Sequence, residues 1–175
     1  MEAMNREVFK IGFINYLNDY VELDYFVRLI LSLDYTVCQN TDLYIASSVP
    51  LRDNAFVLPD KFHKVYVSKD YKSIEFQELI KSFDLGIVPS QLEDTMSLSS
   101  IEFLKNDIPI LCGAVGGDKE LSTSKLFRFE NNEEFYDKFI NLYNNPKLLS
   151  EYKKNYSEVT EQYIKETVAE EVQNA

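Results

Sequence analysis

The chain has 175 residues, of which 45% are hydrophobic and 14% aromatic, which suits one globular domain with a sizeable core. Its formal net charge is −11 and its isoelectric point is about 4.6, and without a stripe of Lys and Arg this balance argues against a nucleic-acid partner. With one histidine, His63, and two cysteines, the chain lacks the residues for a His/Cys metal cluster, and no metal or cofactor is predicted. We expect Cys38 and Cys112 to be buried free thiols, because both lie in or beside apolar runs.

Short apolar runs alternate with amphipathic segments along the whole chain. Strands are predicted at residues 8–14, 35–38, 43–46, 64–67, 85–88, 108–112 and 126–129, and helices at residues 20–31, 72–83, about 97–105, about 131–143 and 147–172. In the first helix, Leu23, Phe26 and Ile30 fall on one face. The alternation predicts an α/β fold: a Rossmann-like, doubly wound and mostly parallel sheet of about six strands with helices on both faces. We expect one domain over residues 1–175, with a core at 8–150 and a C-terminal helix at 151–175.

The segment at residues 83–121 is a strand–loop–helix–strand–loop unit whose two loops both follow strands. In open α/β sheets, ligands bind outside the carboxyl ends of the strands, where both loops are expected. The second loop contains the cluster Gly113, Gly116 and Gly117, which either brings backbone amides close to an anion or is an ordinary turn. The turn after the first strand, at residues 14–19, has no glycine, so the dinucleotide fingerprint is absent, and a P-loop is absent as well.

The first loop of this unit is acidic, with Glu93 and Asp94 before the helix and Glu102 in the second helical turn. Glu102 lies beside the apolar face of that helix, where it could accept hydrogen bonds from vicinal hydroxyls such as those of a ribose. The early helix amides, near Ser97 and Leu98, could hold a phosphate. The alternative for acidic residues in such a loop is plain helix capping.

An ordered set of motifs runs through the same unit: Pro89 with Ser90, then Glu93 with Asp94, then Glu102, then the run at residues 107–110, and the turn at residues 115–120. This set resembles the C-terminal, nucleotide-sugar-binding domain of retaining GT-B fold glycosyltransferases (glycosyl transferases group 1). That family has a strand ending in Pro-Ser, an acidic loop, a helix with a second Glu, a G-x-P-V-I run and a V-G-G-x-x-E turn. The match covers residues 64–154 well, and residues 8–50 in element order.

The resemblance implies a transfer of a sugar from a nucleoside diphosphate sugar, such as a UDP- or GDP-sugar, to an acceptor hydroxyl with retention of configuration. It implies that Glu102 binds the donor ribose and that Glu93, or Asp94, lies by the transferred sugar. It implies that the amides of Ser97 and Leu98 hold the diphosphate. The loop with Lys69 and Asp70 would lie beside the nucleobase.

The chain departs from that family in two ways. The family usually carries an Arg and a Lys after its first strand, whereas this chain has residues 15–19, Asn-Tyr-Leu-Asn-Asp, and only Arg52 and Lys69 are candidates to replace them. The family also needs a second, acceptor-binding domain, in cis or in trans, for which this chain has no room. A non-catalytic GT-B-like module for protein association is therefore the alternative; a receiver-like signalling domain is less supported, since Asp19 alone does not supply its acidic cluster.

No apolar run is long enough for a membrane span and no signal peptide is recognised, so we expect a cytoplasmic protein that would reach the inner membrane only through the missing domain.

Overall fold

The computed structural model describes residues 7–17, 19–90, 97–114 and 127–154, together with Lys165, Glu166, Ala169 and Gln173. Its elements in chain order are β1 (Phe9–Ile14), α1 (Tyr20–Leu31), α2 (Tyr35–Cys38), β2 (Thr41–Ala46), a 3-10 helix (Asp53–Val57), α3 (Leu58–Lys61), β3 (Lys64–Ser68), α4 (Ile74–Ile80), β4 (Leu85–Val88), α5 (Leu98–Lys105), β5 (Ile110–Gly113), β6 (Arg128–Phe129), α6 (Asn132–Asn144) and α7 (Pro146–Lys154).

The six strands form one sheet in the order β3-β2-β1-β4-β5-β6, and all five strand pairs are parallel. The chain starts in the middle of the sheet, builds one half outward through β2 and β3, and returns to the centre at β4 to build the other half. This confirms the predicted Rossmann-like α/β fold. It also places a reversal of strand order between β1 and β4, where an open sheet leaves a crevice at its carboxyl edge.

Aromatic side chains hold α1 and α6 against one face of the sheet. Phe13 of β1 stacks on Phe26 of α1, with ring centroids 4.1 Å apart and planes at 9°. Phe9 of the same strand meets Phe139 of α6 edge to face at 5.8 Å. Since alternate residues of a strand point to the same face, these contacts put both helices on one side of β1.

The opposite face is covered by two rings that stand over glycines. A Cβ at Gly12 would lie 2.3 Å from the ring of Phe83, which follows α4, and a Cβ at Gly86 would lie 2.6 Å from the ring of Phe103 on α5. Gly12 and Gly86 are neighbours across the β1–β4 pair. The two glycines therefore provide the space into which Phe83 and Phe103 pack, on the face of the sheet that carries α4 and α5.

The strand predicted at residues 35–38 is wrong, because this segment is the short helix α2. The amides of Cys38 and Gln39 donate to the carbonyls of Asp34 and Tyr35, at 3.0 and 2.9 Å. The run contains Thr and Val, which favour strands, but it connects α1 to β2 and buries only the side chain of Cys38. A helical turn satisfies its backbone without a neighbouring strand. The prediction that Cys38 and Cys112 are buried free thiols is confirmed.

Helix ends differ from the predicted ones where a side chain caps the backbone. The helix expected at residues 72–83 is α4, Ile74–Ile80, because the Ser73 hydroxyl accepts from the amide of Phe76 at 3.2 Å. By contrast, α6 begins at Asn132, in agreement with the predicted start near residue 131, and Asn131 caps it by accepting from the amide of Glu134 at 2.9 Å. Of the long helix expected at residues 147–172, the structure describes α7, and the remainder falls almost wholly outside the described residues.

Candidate functional site

The candidate site is built on the first turn of α5, which begins at the crevice between β1 and β4. Ser97 caps this helix, and its hydroxyl accepts from the amide of Ser100 at 3.1 Å. The hydroxyl of Ser99, which is almost fully buried, donates to the carbonyl of Ile14 at 3.0 Å. Ile14 is the last residue of β1, so this bond fixes the start of α5 at the carboxyl end of the central strand. The amides of Leu98 and Ser99 have no acceptor within the helix, as is usual for a first turn, so they are suited to an anion.

Asn15 shapes the turn that follows β1. Its side-chain amide donates to the carbonyl of Asp19 at 2.9 Å and to the hydroxyl of Ser47 at 3.1 Å. Asp19 in turn caps α1 by accepting from the amide of Val21 at 3.1 Å. The side-chain oxygen of Asn15 is buried and has no hydrogen-bond partner within the described residues. A buried acceptor without a donor is costly, so this position favours a water or a ligand group that can donate.

Glu102 lies in the second turn of α5, with 9% of its side chain exposed. Its Oε1 forms an ion pair with the Nζ of Lys105 at 2.6 Å. Its Oε2 lies 3.5 Å from the side-chain amide of Gln77 on α4, and that amide also donates to the carbonyl of Tyr71 at 2.7 Å. Glu102 is thus a largely buried carboxylate connected through Gln77 to the loop after β3.

That loop carries the two residues predicted to lie beside a nucleobase. Asp70 is used within the turn: its carboxylate accepts from the amide of Lys72 at 2.8 Å, and its amide donates to the hydroxyl of Ser68 at 3.3 Å. Lys69 is exposed. The ring of Tyr71 lies 5.9 Å from the ring of Tyr16, so an aromatic pair bridges the turns after β1 and β3.

Arg52, one candidate to replace the missing cations, is already engaged. Its guanidinium forms an ion pair with Asp24 at 3.0 Å and lies 3.5 Å from the centroid of the Tyr20 ring. Both partners belong to α1. The hydrogen bond that Arg52 donates to Asp24 raises the pKa of Arg52 above its ordinary value and outweighs the opposing effect of burial. A ligand phosphate would have to compete with Asp24 for this side chain.

The structure brings together Glu102, the start of α5 with Ser97 and Leu98, and the end of β1. Among the described residues, Gln77 and the Tyr16–Tyr71 ring pair connect them to the loop of Lys69 and Asp70. Glu93 and Asp94, the candidates for the sugar side, lie outside the described residues, as do Gly116 and Gly117 of the glycine-rich turn.

Sequence reasoning missed four residues that contribute to this arrangement: Asn15, Gln77, Ser99 and Lys105. Lys105 could have been found, because it is three residues from Glu102 on a predicted helix, and such pairs face each other. The contacts of Asn15, Gln77 and Ser99 join residues of different elements. No spacing along the chain reveals them.

No three His, Cys, Asp or Glu side chains among the described residues are arranged to hold a metal ion. Within the same ranges, no helix is long and apolar enough to cross a membrane.

The structure resembles solved glycosyltransferase structures over most of its length. The catalytic domain of cholesterol-alpha-glucosyltransferase from Helicobacter pylori matches with a TM-score of 0.69 and 16% identity, over 89% of this chain and 99% of that one. The C-terminal domain of LpcC, a glycosyl transferase group 1 family protein of Francisella tularensis, matches with a TM-score of 0.61 and 13% identity, over 85% and 82%. The chain has the fold of one half of a GT-B glycosyltransferase.

A third structure shows how this half relates to a larger protein. TarM of S. aureus, solved as a variant in complex with fondaparinux, alpha-GlcNAc-glycerol and UDP, matches with a TM-score of 0.60 and 19% identity over 91% of this chain but 34% of its own. This chain therefore spans about a third of TarM. No protein-family model and no curated protein matches the sequence.

Proposed function

We propose that this chain is the donor-binding part of a retaining glycosyltransferase, which binds a nucleoside diphosphate sugar and transfers its sugar to an acceptor hydroxyl. The observation that carries the proposal is the position of Glu102. It is a largely buried, ionisable side chain on the helix that starts at the central crevice of a GT-B-type sheet. A buried ionisable group in such a crevice favours a binding role over a purely structural one.

In this proposal the start of α5 binds the diphosphate. The amides at the start of α5, at Ser97 and Leu98, and the positive end of the helix dipole favour a negative group there. Glu102 accepts hydrogen bonds from the ribose, and Lys69 and Asp70 lie on the nucleobase side. Glu93 or Asp94 lies by the transferred sugar. The bond from the sugar carbon to the diphosphate breaks as the bond to the acceptor oxygen forms, and the proton of the acceptor hydroxyl passes to the departing diphosphate. The chain contributes orientation and stabilises charge on the leaving group.

A second domain completes the proposed enzyme, since the acceptor must approach the sugar from outside this half of the fold. We expect that domain in cis or in trans, and we expect the assembly to work in the cytoplasm. Support for a nucleotide donor comes from TarM, which was solved with UDP. Neither Mg²⁺ nor another cofactor enters the proposed reaction.

Calorimetric titration of the 175-residue chain with UDP, GDP and ADP tests the proposal. We expect at least one of these nucleotides to bind with a dissociation constant below about 1 mM, which corresponds to about −4 kcal/mol. Glu102→Gln keeps the shape of the side chain but removes its charge, so the affinity should fall by about 10- to 100-fold, the usual effect of losing a hydrogen bond to a charged group. The matched control is Glu78→Gln on the exposed face of α4, whose carboxylate pairs with Lys81 at 3.1 Å.

Absence of binding at millimolar concentration, or equal binding by the wild type and Glu102→Gln, would contradict a donor site. Absence of nucleotide binding favours the second candidate function, a non-catalytic module for protein association. The observation behind this alternative is the loop after β1, which carries no Arg or Lys at residues 15–19, together with the commitment of Arg52 to Asp24. Co-purification with a complete transferase, in the absence of nucleotide binding, would support it.

A further inference from the structure

The two carboxylate oxygens of Glu102 are in different environments. Oε1 is 2.6 Å from the ammonium of Lys105, which is a short, charge-assisted bond. Oε2 is 3.5 Å from the side-chain nitrogen of Gln77, which is at the outer limit of hydrogen bonding. Gln77 makes its stronger bond, at 2.7 Å, to the carbonyl of Tyr71. Among the described residues, Oε2 therefore keeps most of its capacity to accept, whereas the strong bond to Lys105 takes one of the two acceptor positions of Oε1.

Burial makes this asymmetry important for binding. Only 9% of the Glu102 side chain and 33% of the Lys105 side chain are exposed, so little water competes for the carboxylate. An ionised carboxylate only accepts hydrogen bonds, and its partner must be a donor such as a hydroxyl. The one weakly bonded oxygen faces Gln77, which is attached to the loop after β3.

We propose that Lys105 and Gln77 are positioning residues that make Glu102 bind one hydroxyl of the nucleotide's ribose in preference to the other. This inference rests on the proposed donor site. Lys105 holds Oε1 and keeps it from serving as an equal partner to a second hydroxyl. The weak contact with Gln77 leaves Oε2 facing the loop of Tyr71, on the side where the nucleobase is expected, and able to accept from one hydroxyl. The site then discriminates between nucleotides by a single ribose hydroxyl.

The test compares the tightest-binding nucleotide of UDP, GDP and ADP with its 2′-deoxy and 3′-deoxy forms, by calorimetry on the full chain. For the wild type, one deoxy form should lose about 10- to 100-fold in affinity, while the other stays within about threefold of the parent. Lys105→Met frees Oε1, so the difference between the two deoxy forms should disappear. Lys105→Arg retains a cation and should retain the preference. Gln77→Met should weaken the parent nucleotide to about the level of the more affected deoxy form.

Two outcomes overturn the inference alone, and a third overturns it together with the proposed function. Equal losses for both deoxy forms in the wild type overturn it, and this comparison needs no variant to fold. An unchanged preference in Lys105→Met overturns it as well, although nucleotide binding itself stands. If the wild type binds none of the three nucleotides, the proposed function fails and the inference fails with it. A merely structural role for Lys105 would change thermal stability but leave the ratio between the deoxy forms unchanged.

Discussion

The hydrogen bond from Ser99 to Ile14 offers the most direct test of how the site is assembled. The Ser99 hydroxyl is 2% exposed and donates to the carbonyl at the end of β1 at 3.0 Å. Ser99→Ala removes the donor and leaves that carbonyl buried without this partner, which costs about 1–3 kcal/mol. For a chain of this size, a loss of 1 kcal/mol lowers the melting temperature by about 2–4 °C, so the expected decrease is about 2–12 °C.

Urea unfolding followed by circular dichroism measures this loss, with the wild type and Ser82→Ala in parallel. Ser82 is an exposed serine whose hydroxyl donates to the carbonyl of Leu79 at 2.7 Å, so the same chemical change there should stay within about 0.5 kcal/mol. The slope of free energy against urea should not change, because neither variant alters the surface buried on folding. If Ser99→Ala matches Ser82→Ala in stability, the attachment of α5 to β1 is not formed as described, and the start of α5 no longer supports an anion site.

Two further predictions concern the core beneath the site. Gly86→Ala places a methyl group 2.6 Å from the Phe103 ring and should lower the free energy of unfolding in urea by about 1–3 kcal/mol. Gly86→Ala combined with Phe103→Leu should recover part of that stability. If the double variant recovers none of it, the ring is not the obstacle. Burial raises the pKa of the Cys38 thiol to about 11 from 9.0, so in the unfolded chain the thiol ionises first and stability should fall as pH rises from about 9 to about 11. The wild type should lose up to about 2–3 kcal/mol more than Cys38→Ala over that interval, and parallel stability curves for the two proteins would contradict the burial argument.

The order of elements was available in the sequence because it follows from local pattern. Leu23, Phe26 and Ile30 recur at helical spacing, and all three are buried in α1. The apolar run of β4 is bounded by Asp84 and Pro89, so both ends of this strand could also be predicted from the sequence. The segment at residues 35–38 was misassigned because four residues carry too little periodicity to separate a strand from a helical turn.

The candidate site, like the fold, has parts that the sequence determined and parts that only the tertiary structure decided. The sequence by itself determined the alternating α/β pattern, the acidic loop, and the placement of Glu102 in the second turn of a helix capped near Ser97, because each depends on residues close together in the chain. Tertiary structure alone decided what surrounds Glu102. Gln77 is 25 residues away from it, and the bond from Ser99 to Ile14 spans 85 residues. Such contacts depend on the strand order, which brings β1 beside β4 and makes α4 return from β3 at the edge to β4 at the centre, where Gln77 meets α5. No local rule specifies the distance or the partner.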